Sequence, residues 1–277
     1  LNDNTTIVMP GLDPGIQAVS GRAAMRLWYQ SFTDPALHGA YLTRLTAFIN
    51  DMVEPGTEVH VAGISPSAGS IHALTELRCA VQVVKNAVEA ERQGFDGFIV
   101  GHFQDAGLME AKSAVEMPVV GLGETSLLFA CSLGRRIGLV TIDPIFIPWH
   151  DDQAMRYGLT QRIAGTRAIL ADLPRFMAAF EGGDAYTSMR DDFVTQVRPL
   201  VADGADVILA AGGMPMLLFG REHGFSVDGA PVVNGIAVAL KAAEMAVRLK
   251  ALAGIGVSRA ANFAKPSAQA LQEFLES

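Results

Sequence analysis

Residues 94–102 read Gly-Phe-Asp-Gly-Phe-Ile-Val-Gly-His, and residues 204–212 read Gly-Ala-Asp-Val-Ile-Leu-Ala-Ala-Gly, the same layout 110 positions later. Each begins with a glycine that ends a helical stretch, places an aspartate two residues on, and then runs through a short apolar segment. A run of this length between turn signals fits a strand buried on both faces. Two related βα halves facing each other across a cleft would explain the echo; coincidence in a hydrophobic α/β sequence is the competing explanation.

Outward from these two stretches the chain alternates. Residues 25–32, 58–64, 97–101, 118–122, 136–142, 206–210 and 231–233 predict strands, with a less regular one at 167–170. Helical spacing fills residues 37–49, 70–93, 105–115, 124–133, 148–157, 184–202 and 235–252, with Pro199 a candidate kink. Strands separated by helix-length segments imply an α/β fold with parallel sheets covered by helices. The expected division puts residues 25–123 and 235–277 in one half and 124–234 in the other. Residues 1–24 carry Pro10-Gly11 and Pro14-Gly15 turn signals but no sustained period, so they are expected to be peripheral. They also lack the basic stretch and long apolar core of a secretory signal.

Composition narrows the function. With 277 residues, 50% of them hydrophobic and 18% charged, the chain can bury a real core. A net charge of −8 argues against nucleic acid as the main partner, since phosphate binding is driven by Lys and Arg. No apolar run is long enough to predict a membrane span. The two cysteines, Cys79 and Cys131, form neither a disulfide framework nor a zinc pattern. Both fall inside predicted helices and read as packing. The expected setting is the cytoplasm, and the expected assembly is a homo-oligomer.

In parallel α/β sheets, ligands bind beyond the carboxyl ends of the strands. The residues there are Gln30 and Ser31; His102, Phe103 and Gln104; Glu124 and Thr125; Thr141; and Ala211, Gly212 and Gly213. His102 directly follows a buried strand and can serve as acid or base, so it is the candidate catalytic residue. The glycines at 212 and 213 would allow close backbone approach and offer N–H groups to an anion, or else form a simple turn. The hydroxyls are candidate donors or helix caps. Gly121-Leu-Gly123 reads as a tight strand-to-helix turn. His72 and Glu76, four apart, read as a solvated pair on one helix face. His150-Asp151-Asp152 reads as a polar helix start. Phosphate-loop, nucleophile-elbow and zinc-helix motifs are absent from the sequence. No metal site and no cofactor are expected.

These stretches, in their order and spacing, resemble the aspartate/glutamate/hydantoin racemase superfamily, especially its hydantoin and allantoin branch. The similarity lies in Gly101-His-Phe-Gln-Asp105-Ala-Gly107-Leu108, Pro118-Val-Val-Gly121-Leu-Gly123-Glu124, residues 133–141, Tyr157-Gly158-Leu159, residues 207–211 and Pro231-Val-Val-Asn-Gly235. The resemblance implies two pseudo-symmetric halves with the active site between them, and no cofactor. It also implies a cysteine after one strand of each half, one removing the α-proton and the other returning it. This chain departs there: the first position is His102, and the second falls on Ala211 or Gly212. The two-thiol mechanism is therefore not open to it, because function lives in the site and not in the fold. Three activities remain. One is racemase- or isomerase-like acid/base chemistry on a small carboxylate or cyclic amide, with His102 moving the proton. Another is single-base lyase or hydrolase chemistry on the same scaffold. The last is a non-catalytic small-molecule binding protein.

Overall fold

The computed structural model describes residues 24–65 and 71–277. The expected peripheral segment therefore lies, but for Ala24, outside the described residues. Among the described residues, nine strands fall into two sheets. The first holds β1 (Met25–Gln30), β2 (Thr57–Ala62), β3 (Gly97–Val100) and β4 (Val119–Gly121) in the order β2-β1-β3-β4, all parallel. The second holds β5 (Ile137–Thr141), β6 (Ile163–Ala168), β7 (Val207–Ala210), β8 (Ser226–Val227) and β9 (Ala230–Val233) in the order β6-β5-β7-β9-β8. Its strands are parallel except for the β8–β9 hairpin.

The sequence echo is a structural symmetry. Leu27 lies opposite Gly97 in the first sheet, and Ile137 lies opposite Val207 in the second, the same register 110 residues on. Asp96 accepts from the Arg26 backbone N–H, and its own N–H returns to the Arg26 carbonyl. Asp206 repeats both bonds with Arg136. The Arg26 and Arg136 guanidinium groups then cap the equivalent helix ends, at the carbonyls of Gln93 and Asp203. Gly94 (φ 73°) and Gly204 (φ 93°) both sit in the left-handed region that ends those helices.

Strands β3 and β7 are buried along their whole length, as central parallel strands covered on both faces must be. Around the first sheet lie α1 (Pro35–Met52), α2 (Ala73–Arg92) and α3 (Leu108–Ala114). Next come α4 (Leu122–Leu133), α5 (Phe146–Arg156), α6 (Leu173–Glu181), α7 (Gly183–Ala202) and α8 (Gly213–Phe219). The last two are α9 (Gly235–Ala253) and α10 (Ala268–Glu276). Helix α9 returns to the first sheet: a Cβ on Gly97 of β3 would meet Val247 at 2.9 Å. One apolar core runs through both halves, from Leu27 and Tyr41 to Phe193, Val207 and Leu240. A second lies around Trp28, Phe98 and Val83, with Leu271 and Phe274 of α10 packed against it.

The structure corrects several local expectations. The irregular strand is Ile163–Ala168, earlier than 167–170. Helices α6 and α8 occupy stretches read as loop and glycine turn. Helix α7 is a single helix with Pro199 in its last turn, where the proline removes one i→i−4 hydrogen bond without ending the helix. Among the described residues, no helix is long and apolar enough to cross a membrane.

Candidate active site

A cavity of about 550 Å³ opens where the carboxyl ends of both sheets meet. The first half contributes residues 31–34 after β1, His38 and Tyr41 of α1, Thr75, Glu76 and Cys79 of α2, and residues 101–104 after β3. The second half contributes Ile142, Asp143, Ile145 and Phe146, then residues 171–173 after β6 and residues 211–215 after β7. A smaller cavity of about 270 Å³ lies between Phe48, Phe219 and Val233. It shares no lining residue with the first, and the Glu222 carboxylate at its edge is held by Arg190 and Tyr186.

The strand ends deliver the side chains. Gly101 leaves β3 where a Cβ would strike the Tyr29 ring at 2.3 Å, so only glycine lets the chain pass. His102 follows, its ring stacked on Phe32 with centroids 4.1 Å apart. Its Nε2 lies 3.6 Å from Glu76 Oε1, and its Nδ1 is buried with no hydrogen-bond partner among the described residues. Burial, with a smaller contribution from His150, pushes the imidazole down to about 3, so it is neutral at physiological pH. The Glu76 carboxyl is pushed up by burial to about 7. Tyr41, fully packed, also has its ionisation pushed up by burial. A Cβ on Gly213 would fall 3.1 Å from the Tyr41 hydroxyl, which brings α1 of one half against α8 of the other.

Of the sequence candidates, Ser31, His102, Phe103, Gln104, Ala211, Gly212 and Gly213 line the cavity. Four others do not. Gln30 is fully buried, with its amide donating to the carbonyls of Ser31 and Gly63 while its oxygen accepts from Trp28 and Asn86. Glu124 pairs with Lys112 at 2.6 Å. Thr125 donates to Gly121 O inside its own helix. Thr141 is fully buried, and its hydroxyl lacks a hydrogen-bond partner. The Gly212 N–H is also committed, to Ala210 O at 2.8 Å, so it is not an open donor for an anion.

Three further expectations change. His72 is the N-cap of α2, with extended backbone and Nδ1 accepting from Thr75 N–H, so it does not share a helix face with Glu76. Glu76 faces the cavity instead. His150 is buried in mid-helix against Phe103 and Phe146, because α5 starts four residues earlier than a His150 start would require. Cys79 is buried, as packing predicts, but it also borders the cavity. Burial raises its thiol above the ordinary range.

The cavity carries a marked charge bias. Among the described residues, Asp34, Glu76, Asp143 and Asp172 line it, and no Lys or Arg does. Asp34, Asp143 and Asp172 each accept from a nearby backbone N–H, as caps do. Glu76 instead faces an imidazole.

Comparisons with known proteins agree with this architecture. The family model described as Asp/Glu/Hydantoin racemase matches residues 40–243. A hydantoin racemase from Rhizobium meliloti is 27% identical over 183 residues, 66% of this chain and 71% of that protein. One from Pseudomonas sp. (strain NS671) is 25% identical over 197 residues, 70% and 76% of the two chains. Among solved structures, an allantoin racemase from Klebsiella pneumoniae superposes with a TM-score of 0.71 at 25% identity, covering 88% of this chain and 94% of that one. A glutamate racemase from Bacillus anthracis, at 12% identity and a TM-score of 0.57 over 83% of each chain, shares the fold. By the span of the family match and the paired sheets around the cleft, this chain belongs to the Asp/Glu/hydantoin racemase family, on its hydantoin and allantoin branch, and is a racemase-like enzyme.

Proposed function

We propose that the protein moves a proton at the carbon next to a carbonyl in a small, neutral cyclic amide of the hydantoin kind, without a cofactor. The observation that carries this is the charge of the cleft: among the described residues, four carboxylates and no Lys or Arg line the cavity that His102 borders. A substrate carboxylate entering there would meet like charge with no Lys or Arg among the described lining residues to offset its desolvation. A neutral ring with N–H donors meets acceptors instead. The wall around Phe32, Tyr41 and Phe146 supplies apolar surface for the ring and its substituent. His102, at the end of β3, supplies the polar edge at which the reacting group is held.

The test is hydron exchange in deuterated water. Enantiopure 5-substituted hydantoins and allantoin are expected to lose the hydrogen on the ring carbon in NMR spectra and to lose optical rotation. Aspartate and glutamate are expected to do neither. Exchange confined to the amino acids would overturn the assignment of substrate class. A lyase or hydrolase is the second reading. It is favoured by the residue types of segment 211–215, Ala-Gly-Gly-Met-Pro, which put no ionisable side chain on that part of the opposite wall. Its sign would be a mass change in the substrate without exchange.

A further inference from the structure

We propose that Glu76 is the base that takes the substrate proton, and that His102 stays neutral and donates its Nε2–H to the carbonyl oxygen where charge develops. The assignment rests on the function proposed above and divides its chemistry between two residues.

Geometry comes first. Glu76 Oε1 and His102 Nε2 stand 3.6 Å apart, too far for a hydrogen bond to each other, and both border the cavity. About a fifth of each side chain is exposed, 19% and 18%. They flank one point of the cleft and can touch two neighbouring atoms of one substrate, a carbon and its carbonyl oxygen. The ring cannot easily turn away, because it is stacked on Phe32.

The orphaned nitrogen fixes the tautomer. A hydrogen on Nδ1 would be a buried donor without an acceptor, a costly arrangement. The hydrogen therefore sits on Nε2, on the side of the ring that faces Glu76 and the cavity, where a ligand can accept it. An Nε2–H imidazole cannot take a proton at that same nitrogen, and burial opposes its becoming a cation. Glu76, with its affinity for protons raised by burial, is better matched to proton abstraction near neutral pH. A carboxylate base beside a neutral imidazole donor is an effective arrangement for chemistry next to a carbonyl.

The other ionisable groups around the pair leave this division intact. On α2, Cys79 follows Glu76 by one turn and remains a thiol. Asp34 and His38 approach from α1, Asp143 and Asp172 stand on the second half, and His150 lies behind His102.

In the step, the Glu76 carboxylate takes the hydrogen from the ring carbon as a proton. The electron pair of that C–H bond moves into the carbonyl, and its oxygen becomes the enolate oxygen held by His102. Return of the proton from Glu76 to the same face restores the starting configuration. Protonation from the opposite face falls to water at segment 211–215, and the hydroxide left behind is neutralised by the proton that Glu76 releases to solvent, which returns the carboxylate. For the enantiomer whose hydrogen faces Glu76, exchange must therefore run ahead of inversion.

The experiment uses the full chain and enantiopure 5-benzylhydantoin in deuterated water, following exchange by NMR and inversion by chiral chromatography. Glu76→Gln, close to isosteric, is expected to slow exchange by about 10²–10⁴-fold. Glu76→Asp should restore part of it, with the rise of rate through pH ~7 retained. His102→Gln keeps an N–H donor and should exceed His102→Ala by about tenfold or more, since one such donor is worth about 10²–10³. Near-normal exchange in Glu76→Gln with none in His102→Gln would overturn the assignment and make His102 the base. A second arm needs no substrate. Nitrogen-15 NMR of the histidines should show His102 as the neutral Nε2–H form from pH 5 to 8, its signal moving near pH 7 only while Glu76 is present. An Nδ1–H form, or a shift that persists in Glu76→Gln, would also overturn it. If the wild type exchanges no hydantoin, the proposed substrate class fails, and this second arm still decides where proton and charge reside.

Discussion

Asp105 shows how much one side chain can hold. It sits at φ 57°, fully packed, and its two oxygens accept from the backbone N–H groups of Gly123 and Glu124, from Gln153 and from Tyr157. The first two donors open α4, and the last two come from α5 and its C-cap. The loop carrying His102 is thereby fastened to both. Replacing Asp105 by Ala would strand these donors, and the expected cost is about 3–5 kcal/mol in chemical denaturation. Burial also pushes Asp105 up to about 7, against its donors, as it does Glu76. A carboxyl whose folded value is raised contributes stability that is complete below its ordinary range and lost as pH rises through 7. Melting temperature is therefore expected to fall between pH 5 and 8, and Glu76→Gln should flatten part of that slope. The thiols give a simpler expectation. Cys79 stays protonated because it is buried, so iodoacetamide at pH 7 should inactivate slowly, and Cys131→Ala should leave turnover unchanged.

At the level of elements, the turn from β4 to α4 is the tightest passage near the site. A Cβ on Gly123 would lie 1.9 Å from Phe103 O and 2.2 Å from Gln153 Nε2, both parts of the Asp105 fastening. Gly123→Ala is expected to destabilise by about 1–3 kcal/mol and to raise the Michaelis constant by displacing the His102 loop. The sequence made this turn legible, because glycines at 121 and 123 between an apolar run and a helical period leave few other readings. The paired strands were legible for the same reason: four apolar residues after Gly-x-Asp have nowhere to go but a buried sheet. Helix α8 was hidden by Gly212-Gly213, which look like a turn until packing of Met216–Phe219 into the core outweighs their poor propensity. Helix α6 begins Leu-Pro, where proline suits a first turn, and the Gly182-Gly183 pair after it obscured its period. Glu76 could be read only as the solvated partner of His72, not as a residue of the site. Its neighbour in the site, His102, is supplied by another strand, and spacing along α2 points only to residues of α2.

The whole molecule is two copies of one plan with unequal endings. Both halves keep the same order through their first three strands, with β9 taking the place of β4, yet His102 at one centre is matched by Gly212, 110 residues on, at the other. Residues 1–24 lack an apolar period and β1 begins at Met25, so their removal should change stability by less than about 1 kcal/mol. A larger loss in calorimetry would place them in the core. The return of α9 to the first sheet also sets a timetable. On a ribosome adding about 5–20 residues per second, β4 is finished roughly 7–26 s before α9 has been made to cover β3. Through that interval an apolar sheet face waits without its lid, and a nascent chain stalled before residue 235 should bind a holdase chaperone or precipitate, whereas one extended past residue 253 should not.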